Sequence, residues 1–471
     1  MKLYLLRGYL MLTAIVFGAI FLTVLGALSS FVLTEDKLQS TATAKSRGLA
    51  IAEAGLEYYR WHLAHFPNDL QNGTGQPGPY LIPYDDPEGG QTGTISLAIT
   101  GNTSCGQATS IDIRSTGIPS ENINAARTIV TRYARPTVAQ YSYVLNSTVW
   151  AGSDRIISGP YHSNGGIRMD GTANAPVTSS LSTWLCTSSF GCSPNQTKNG
   201  VWGAGPNQSL WEYPVPQMDF AGMAADFTNL KTIATASGIY LPRYSSGNSN
   251  GAAYWHGYHL IFNGNGTVTV RRVSSTTSLN STHLNPADTV DRTLINNETL
   301  YNTYTIPSSC GLIFVEDNVW VEGTVDSKVT IVAANVTTTG IAPNAMLPNN
   351  LTYAATDGSA GLTLIAENNV LITPNSPSTM TLNGVFIAQG GAFGRNYYGC
   401  PSSYEPRSTL TILGTTVSNL RTGTKWVNGC PSGDAGYQTR IDAFDRKLST
   451  DPPPFTPSIS TDYQFVDWRQ E

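Results

Sequence analysis

Apolar and polar positions along the chain follow three rhythms, and each predicts a different element. The first is continuous: residues 9–32 read "YLMLTAIVFGAIFLTVLGALSSFV", with no charged residue. About 20 such residues cross a ~30 Å hydrocarbon layer as a helix, and the apolar core of an ordinary signal peptide is shorter. The apolar spacing then carries on past the membrane length. In "TEDKLQSTATAKSRGLAIAEAGLEYYRWHLAHF" Leu38, Ala42, Leu49, Ala52, Leu56, Tyr59 and Leu63 recur at roughly helical intervals, and no proline intervenes before Pro67. The pattern predicts one helix over residues 9–66, half of it apolar all round and half amphipathic.

The second rhythm is short and irregular. "PNDLQNGTGQPGPYLIPYDDPEGG" at 67–90 has the Pro, Gly, Asn and Asp content of a linker or ordered loop. After it, "GTISLAIT", "SIDIRSTG" and "AARTIVTRYARP" read as three strands of a small β domain, with Ile111, Ile113 and Ile129 on alternating positions. Linker and small domain together occupy 67–137.

From 138 to 471 a third rhythm takes over, visible in "GLIFVEDNVWVEGTVDSKVTIVAANV", "GLTLIAENNVLIT" and "MTLNGVFIAQGGAF". Apolar runs of about four to six residues alternate with Asn-Gly, Asp-Asn or Gly-Gly. Such rungs suit a right-handed parallel β-helix-like domain, whose coils turn corners at small or polar residues and where Asn tolerates the left-handed conformation. A β-sandwich would show hairpin spacing instead. One segment breaks the rhythm: in 214–242, Phe220, Met223, Ala224, Phe227, Leu230 and Ile233 have helical spacing, Asp219 is the expected N-cap and Gly238 the C-cap. A hairpin with an Asn-Gly turn follows in "GYHLIFNGNGTVTVRRV", so an insertion near 214–272 is expected, packed against the coils. At the end, Pro452 to Pro454 force an extended path, and Tyr463, Phe465, Val466 and Trp468 are expected to cover an open end or side of the coils as a capping tail. The fold class is therefore α+β, mainly β.

Charge and cysteine usage place this chain. Lys2 and Arg7 precede the apolar run and Glu35 and Asp36 follow it, so the positive-inside rule keeps the start in the cytoplasm and exports the rest. A single-pass membrane protein with an extracytoplasmic head is expected, touching lipid through residues 9–32. Charged residues make up 13% and the net charge is −5, which offers no basic surface for nucleic acid. All six cysteines lie outside the apolar run and no CxxC occurs, which points to disulfides rather than zinc. Cys186 and Cys192 close a short loop, Cys400 and Cys430 each open a Cys-Pro turn, and Cys105 and Cys310 are left to pair with each other.

Candidate chemistry is sparse. His162 beside Ser163 in "PYHSNGG" has the residue types of a base and a nucleophile, but the stretch reads as a tight turn in which both bond the backbone. His256 and His259 are spaced for a helix, yet "AYWHGYHLIF" reads as a strand, so zinc is not expected. Glu316, Asp317, Glu322 and Asp326 have the oxygen ligands that Ca²⁺ needs, without an EF-hand or nonapeptide motif; a solvated acidic face is the preferred reading and no cofactor is expected. The Asn-x-Ser/Thr sequons, such as Asn72, Asn146 and Asn350, mark polar loops.

A basic leader ending at Gly8, an apolar helix starting immediately after it and the amphipathic "RGLAIAEAGLEYYRWHL" resemble class III prepilins; "AEAGLE" is most similar to PilX-type minor pilins of type IV pili. The resemblance implies that a prepilin peptidase cuts between Gly8 and Tyr9 and methylates the new N-terminus. It also implies other pilins and the pilus assembly machinery as partners. Gly8 at the membrane edge suits that role because glycine lets the backbone unwind. The sequence departs from the major pilins at the fifth mature residue: Thr13 stands where they carry a Glu that neutralises a neighbour's terminal amine. The large K-type pseudopilin also lacks that Glu and sits at a tip. "GPYHSNGGI" and "VFIAQGGAFG" further resemble the solenoid heads of large pilin-like proteins from uncultivated bacterial lineages. The implied function is a non-catalytic minor pilin-like subunit that displays its head at the cell surface for pilus assembly, tip formation or adhesion. The alternative is a membrane-anchored polysaccharide-active β-helix enzyme, which would need two carboxylates within ~10 Å in a groove.

Overall fold

A computed structural model describes residues 3–66, 69–244, 256–284, 289–338, 340–400 and 402–471, which form two compact units. The first comprises residues 1–101, 111–133 and 467–471; the second comprises 102–110 and 134–466.

A single helix, Leu3–His65, dominates the first unit. It starts before residue 9, taking in residues 3–8, because nothing in "LYLLRGY" opposes helix formation strongly enough to stop it. Residues 9–40 are exposed along their whole length, whereas Ala44, Ile51, Ala52, Leu56, Tyr59 and Leu63 are buried. The buried stripe packs on a sheet of Tyr80–Asp85, Gln91–Ser104, Gln107–Pro119, Arg127–Ala134 and Gln464–Gln470, neighbours in that order. Close approach needs glycine here: a Cβ on Gly117 would lie 2.0 Å from the Gly48 carbonyl oxygen, and one on Gly55 would lie 2.3 Å from Ser115 Oγ. The "AEAG" motif thus has a packing reason.

Two edges of this sheet differ from expectation. Tyr80–Asp85 lies in the stretch read as linker, yet it pairs antiparallel with Gln91–Ser104, from Tyr80 opposite Leu97 to Asp85 opposite Gln91. Pro83 is tolerated because the strand is at an edge, where one side needs no ladder donor. The other edge is Gln464–Gln470, so Phe465, Val466 and Trp468 belong to a strand beside Arg127–Ala134 and do not cap coils.

In the second unit the strands stack in parallel ladders. One row keeps Ile239, Ile313, Ile331, Leu364, Phe386, Thr416, Tyr143, Tyr161, Val177 and Trp211 in register. A second aligns Phe262, Gly323, Leu351, Leu382, Ile412, Asp442, Ile157 and Ala173. A third aligns Tyr258, Val319, Ala345, Val370 and Phe393, with Val149, Ile167 and Val201 forming a separate short set. Side chains alternate across these strands. Ile313, Ile331, Leu364 and Phe386 face one cluster, and Leu312, Phe314, Val332, Ile365 and Val385 face another. Both faces of the first ladder are therefore buried, which explains its continuous apolar runs.

Covering that second face are a helix and the Pro-rich segment. The helix is Phe227–Ser237, shorter than the 214–242 pattern, with Asp226 rather than Asp219 as N-cap; Asp226 accepts from Asn229 N at 3.0 Å. Asp219 instead closes a turn onto Ala221 N and Gly222 N, since Pro214, Pro216 and Gly222 disfavour helix upstream. Leu230 and Ala234 join the cluster, as do Leu448, Phe455 and Ile459. The Pro-rich segment crosses two adjacent rungs: Thr330 Oγ1 donates to the Pro454 carbonyl and Thr363 Oγ1 lies 2.6 Å from Thr456 Oγ1. The hairpin Gly257–Asn263 with Thr267–Asn280 gains a third strand, Val290–Thr305, so the antiparallel insertion extends beyond 272.

Candidate functional site

Gly8 and Tyr9 lie within the first turns of the long helix. From Tyr9 to Leu38 the apolar side chains are exposed: Tyr9, Met11, Phe17, Phe21 and Phe31 are each more than half exposed. The helix is long and apolar enough to cross a membrane by length and composition. Thr13 Oγ1 turns back onto its own helix, 3.0 Å from both the Tyr9 and the Leu10 carbonyl oxygens, and being uncharged it cannot neutralise a neighbouring amine.

The six cysteines form three disulfides, Cys105–Cys310, Cys186–Cys192 and Cys400–Cys430. All three lie in the second unit, with Cys105 on the 102–110 hairpin tip.

His162 and Ser163 are consecutive in the strand Tyr161–Ser163 and so point to opposite faces. His162 is buried between Thr178 Oγ1 at 2.9 Å and Asn164 Oδ1 at 3.0 Å, and burial pulls its pKa down despite the Asn164 bond. Ser163 Oγ donates to the Ser147 carbonyl at 2.8 Å. The two therefore make no base–nucleophile pair. The four carboxylates considered for Ca²⁺ are dispersed as well. Glu316 is held by Lys231 Nζ at 2.8 Å and by the Tyr240 hydroxyl, Asp317 accepts from Tyr244 N and Asn318 N, Glu322 faces His259, and Asp326 follows the strand Asn318–Val325. Among the described residues no group of three His, Cys, Asp or Glu side chains could hold a metal ion.

One acidic pair does converge, and half of it was not singled out from the sequence. His259 Nδ1 lies 2.8 Å from Glu298 Oε2 and its Nε2 lies 3.3 Å from Glu322 Oε1, while Arg271 lies 2.6 Å from Glu298 Oε1. His259, Glu298 and Glu322 line a groove of about 450 Å³ with Trp320, Asn296 and Asn349. Both carboxylates touch one imidazole, so they stand well within ~10 Å of each other, the separation that a polysaccharide-cleaving site demands. Their electrostatics differ from such a site. Burial works against a charged imidazole, but the bonds and charges of Glu322 and Glu298 hold the His259 pKa above its ordinary value; the His259 bond pulls Glu322 below the usual range. The arrangement reinforces an ion pair, whereas acid catalysis needs a carboxyl held protonated. Glu298 escaped notice in "NNETLY" because only pairing of the third hairpin strand brings it to His259.

The pH consequence has a definite sign. A raised histidine pKa stabilises the fold fully below the unfolded value of 6.5 and loses that contribution as pH rises through the folded value; the lowered Glu322 contributes above 4.5 and loses it as pH falls. The melting temperature should therefore drop between about pH 6 and about pH 9 by more in the natural protein than in His259→Gln. Equal drops in differential scanning calorimetry would count against the cluster.

No protein-family model matches the chain, and no curated protein matches it. Among solved structures it is similar to the competence-associated pilin ComZ from Thermus thermophilus, at 12% identity and a TM-score of 0.32, over 91% of this chain and 98% of that one.

Proposed function

We propose that the chain is a non-catalytic minor pilin-like subunit, anchored by its N-terminal helix and carrying a β-solenoid head for filament assembly, tip formation or adhesion. The carrying observation is the two-part helix Leu3–His65: an apolar half that is exposed among the described residues, continuous with a half that packs on a small sheet through Gly48 and Gly55. Exposed apolar side chains on this scale need lipid or other helices, since each is worth about 1.5–3 kcal/mol on burial. Thr13 bonding only its own helix favours a tip or initiating position, where no subunit above presents an amine. Three in-register parallel ladders support a solenoid as the head. The groove containing Glu298 and Glu322 is where a polysaccharide-active enzyme would work, and its charge-compensated state disfavours that alternative.

The leader supplies the test. Mass spectrometry of the protein expressed with a prepilin peptidase should find Tyr9 as a methylated N-terminus, and Gly8→Val should leave the leader attached. An N-terminus at Met1, or one within residues 27–30 as after ordinary signal peptidase, would remove the main support for the pilin reading.

A further inference from the structure

The second unit contains a cavity of about 1010 Å³ that none of the preceding chemistry uses. Two disulfide-closed segments form parts of its wall. Ser188 and Ser189 belong to the loop closed by Cys186–Cys192, and Trp426 and Asn428 belong to the strand Lys425–Cys430, which Cys430 joins to Cys400. Covalent bracing of both walls suits a site formed before its ligand arrives, because pre-organisation lowers the ordering cost of binding.

The lining cations divide into two kinds. Arg168 meets Asp170 at 2.8 Å, Arg440 meets Asp154 at 2.8 Å and Lys425 meets Asp434 at 3.1 Å. Arg421 has no acid within ion-pair distance among the described residues. It lies 4.2 Å over the Phe190 ring and donates through Nη2 to the Ser189 carbonyl at 2.9 Å. A guanidinium carries five N–H donors in a planar fork that matches a carboxylate. Burial, with no counter-charge, pulls the Arg421 pKa below its ordinary value, the sense expected for a cation lacking its anion.

The rest of the wall narrows the ligand class. Indole rings come from Trp150, over which Arg168 already sits at 4.0 Å, and from Trp426, and among the described residues the aliphatic side chains are Leu284, Val427 and Ala204. Aromatic rings among hydrogen-bond donors and acceptors suit sugar rings and their hydroxyls, and the volume, at the upper end for small-molecule sites, admits several rings. We propose that this cavity binds an acidic oligosaccharide, with one uronate carboxylate seated on Arg421. The binding concerns the head alone and holds or fails independently of whether the helix enters a filament.

The test is isothermal titration calorimetry on the purified full chain in a detergent without sugar headgroups. The probes are tetramers of galacturonate, alginate and hyaluronan, with maltotetraose as the neutral control and tetraglutamate as the acidic peptide. At least one uronate tetramer should bind saturably and more tightly than either control. Arg421→Gln should weaken it about tenfold or more at an unchanged melting temperature, as a lost charge-assisted contact implies. Val427→Glu adds a negative charge at an exposed wall position and should weaken it as well. Failure of all three uronates at millimolar concentration, equal affinity in Arg421→Gln, preference for maltotetraose, or equal or tighter binding of tetraglutamate would each overturn the proposal.

Discussion

Replacing Glu405 by Gln is expected to destabilise the head by about 3–5 kcal/mol, the usual cost of breaking a buried ion pair from one side. The side chains of Arg395 and Glu405 are both 0% exposed and paired through Nη1 and Oε1. The guanidinium also donates to the Tyr404 carbonyl at 2.7 Å and lies 4.9 Å from the Tyr398 ring centre, while Glu405 Oε2 accepts from Gly436 N at 2.6 Å. Glutamine keeps the shape and removes the charge, leaving a buried cation unmatched. Removing both charges together, as Arg395→Met with Glu405→Leu, should recover much of the loss, because the pair's own desolvation penalty disappears with it. Urea denaturation followed by circular dichroism decides the matter. A Glu405→Gln protein within about 1 kcal/mol of the natural one would show that the pair is not sealed from water.

The second large effect is expected from Cys105→Ser with Cys310→Ser. That bridge closes a sequence separation of 205, and the chain-entropy relation assigns it about 5 kcal/mol, against about 2 for Cys186–Cys192 with its separation of 6. Cys310 is fully buried, and Cys105 N also donates to the Ser309 carbonyl at 2.8 Å, so the bridge reinforces a contact already made by the backbone. Denaturation midpoints of the two bridge-deleted proteins should fall in that order. The reverse order would mean that the unfolded chain is not constrained by loop length here.

Local patterns carried much of the architecture. The long helix was legible because its hydrogen bonds link residues four apart and its apolar positions recur every turn, both properties of the sequence itself. Three strands of the small sheet and the hairpin at Asn263–Gly266 were legible for the same reason, in alternation and turn residues. Errors arose where two local signals competed. Pro83 and the turn-rich flanks hid the strand Tyr80–Asp85, and Asp219 matches the capping residue type although the helix starts seven residues later at Asp226, past the prolines and Gly222.

What no local pattern could decide is which rung meets which. Thr416 pairs with Tyr143 across most of the head, and Trp211 ends the row that Ile239 begins, because stacking depends on which apolar rows fit together rather than on neighbours in sequence. The chain's last strand joins the stalk-side sheet for the same reason. So, too, with charge: Asp442 stands in a row of Ile412 and Ile157, and only folding brings Arg155 within 2.8 Å to justify it. The sequence by itself determined the long apolar helix, most of the strands and the three cysteine pairs. Tertiary structure alone decided the order of the ladders, the Glu298–His259–Glu322 cluster and the Arg421 cavity, since each joins residues whose proximity arises from packing and not from spacing.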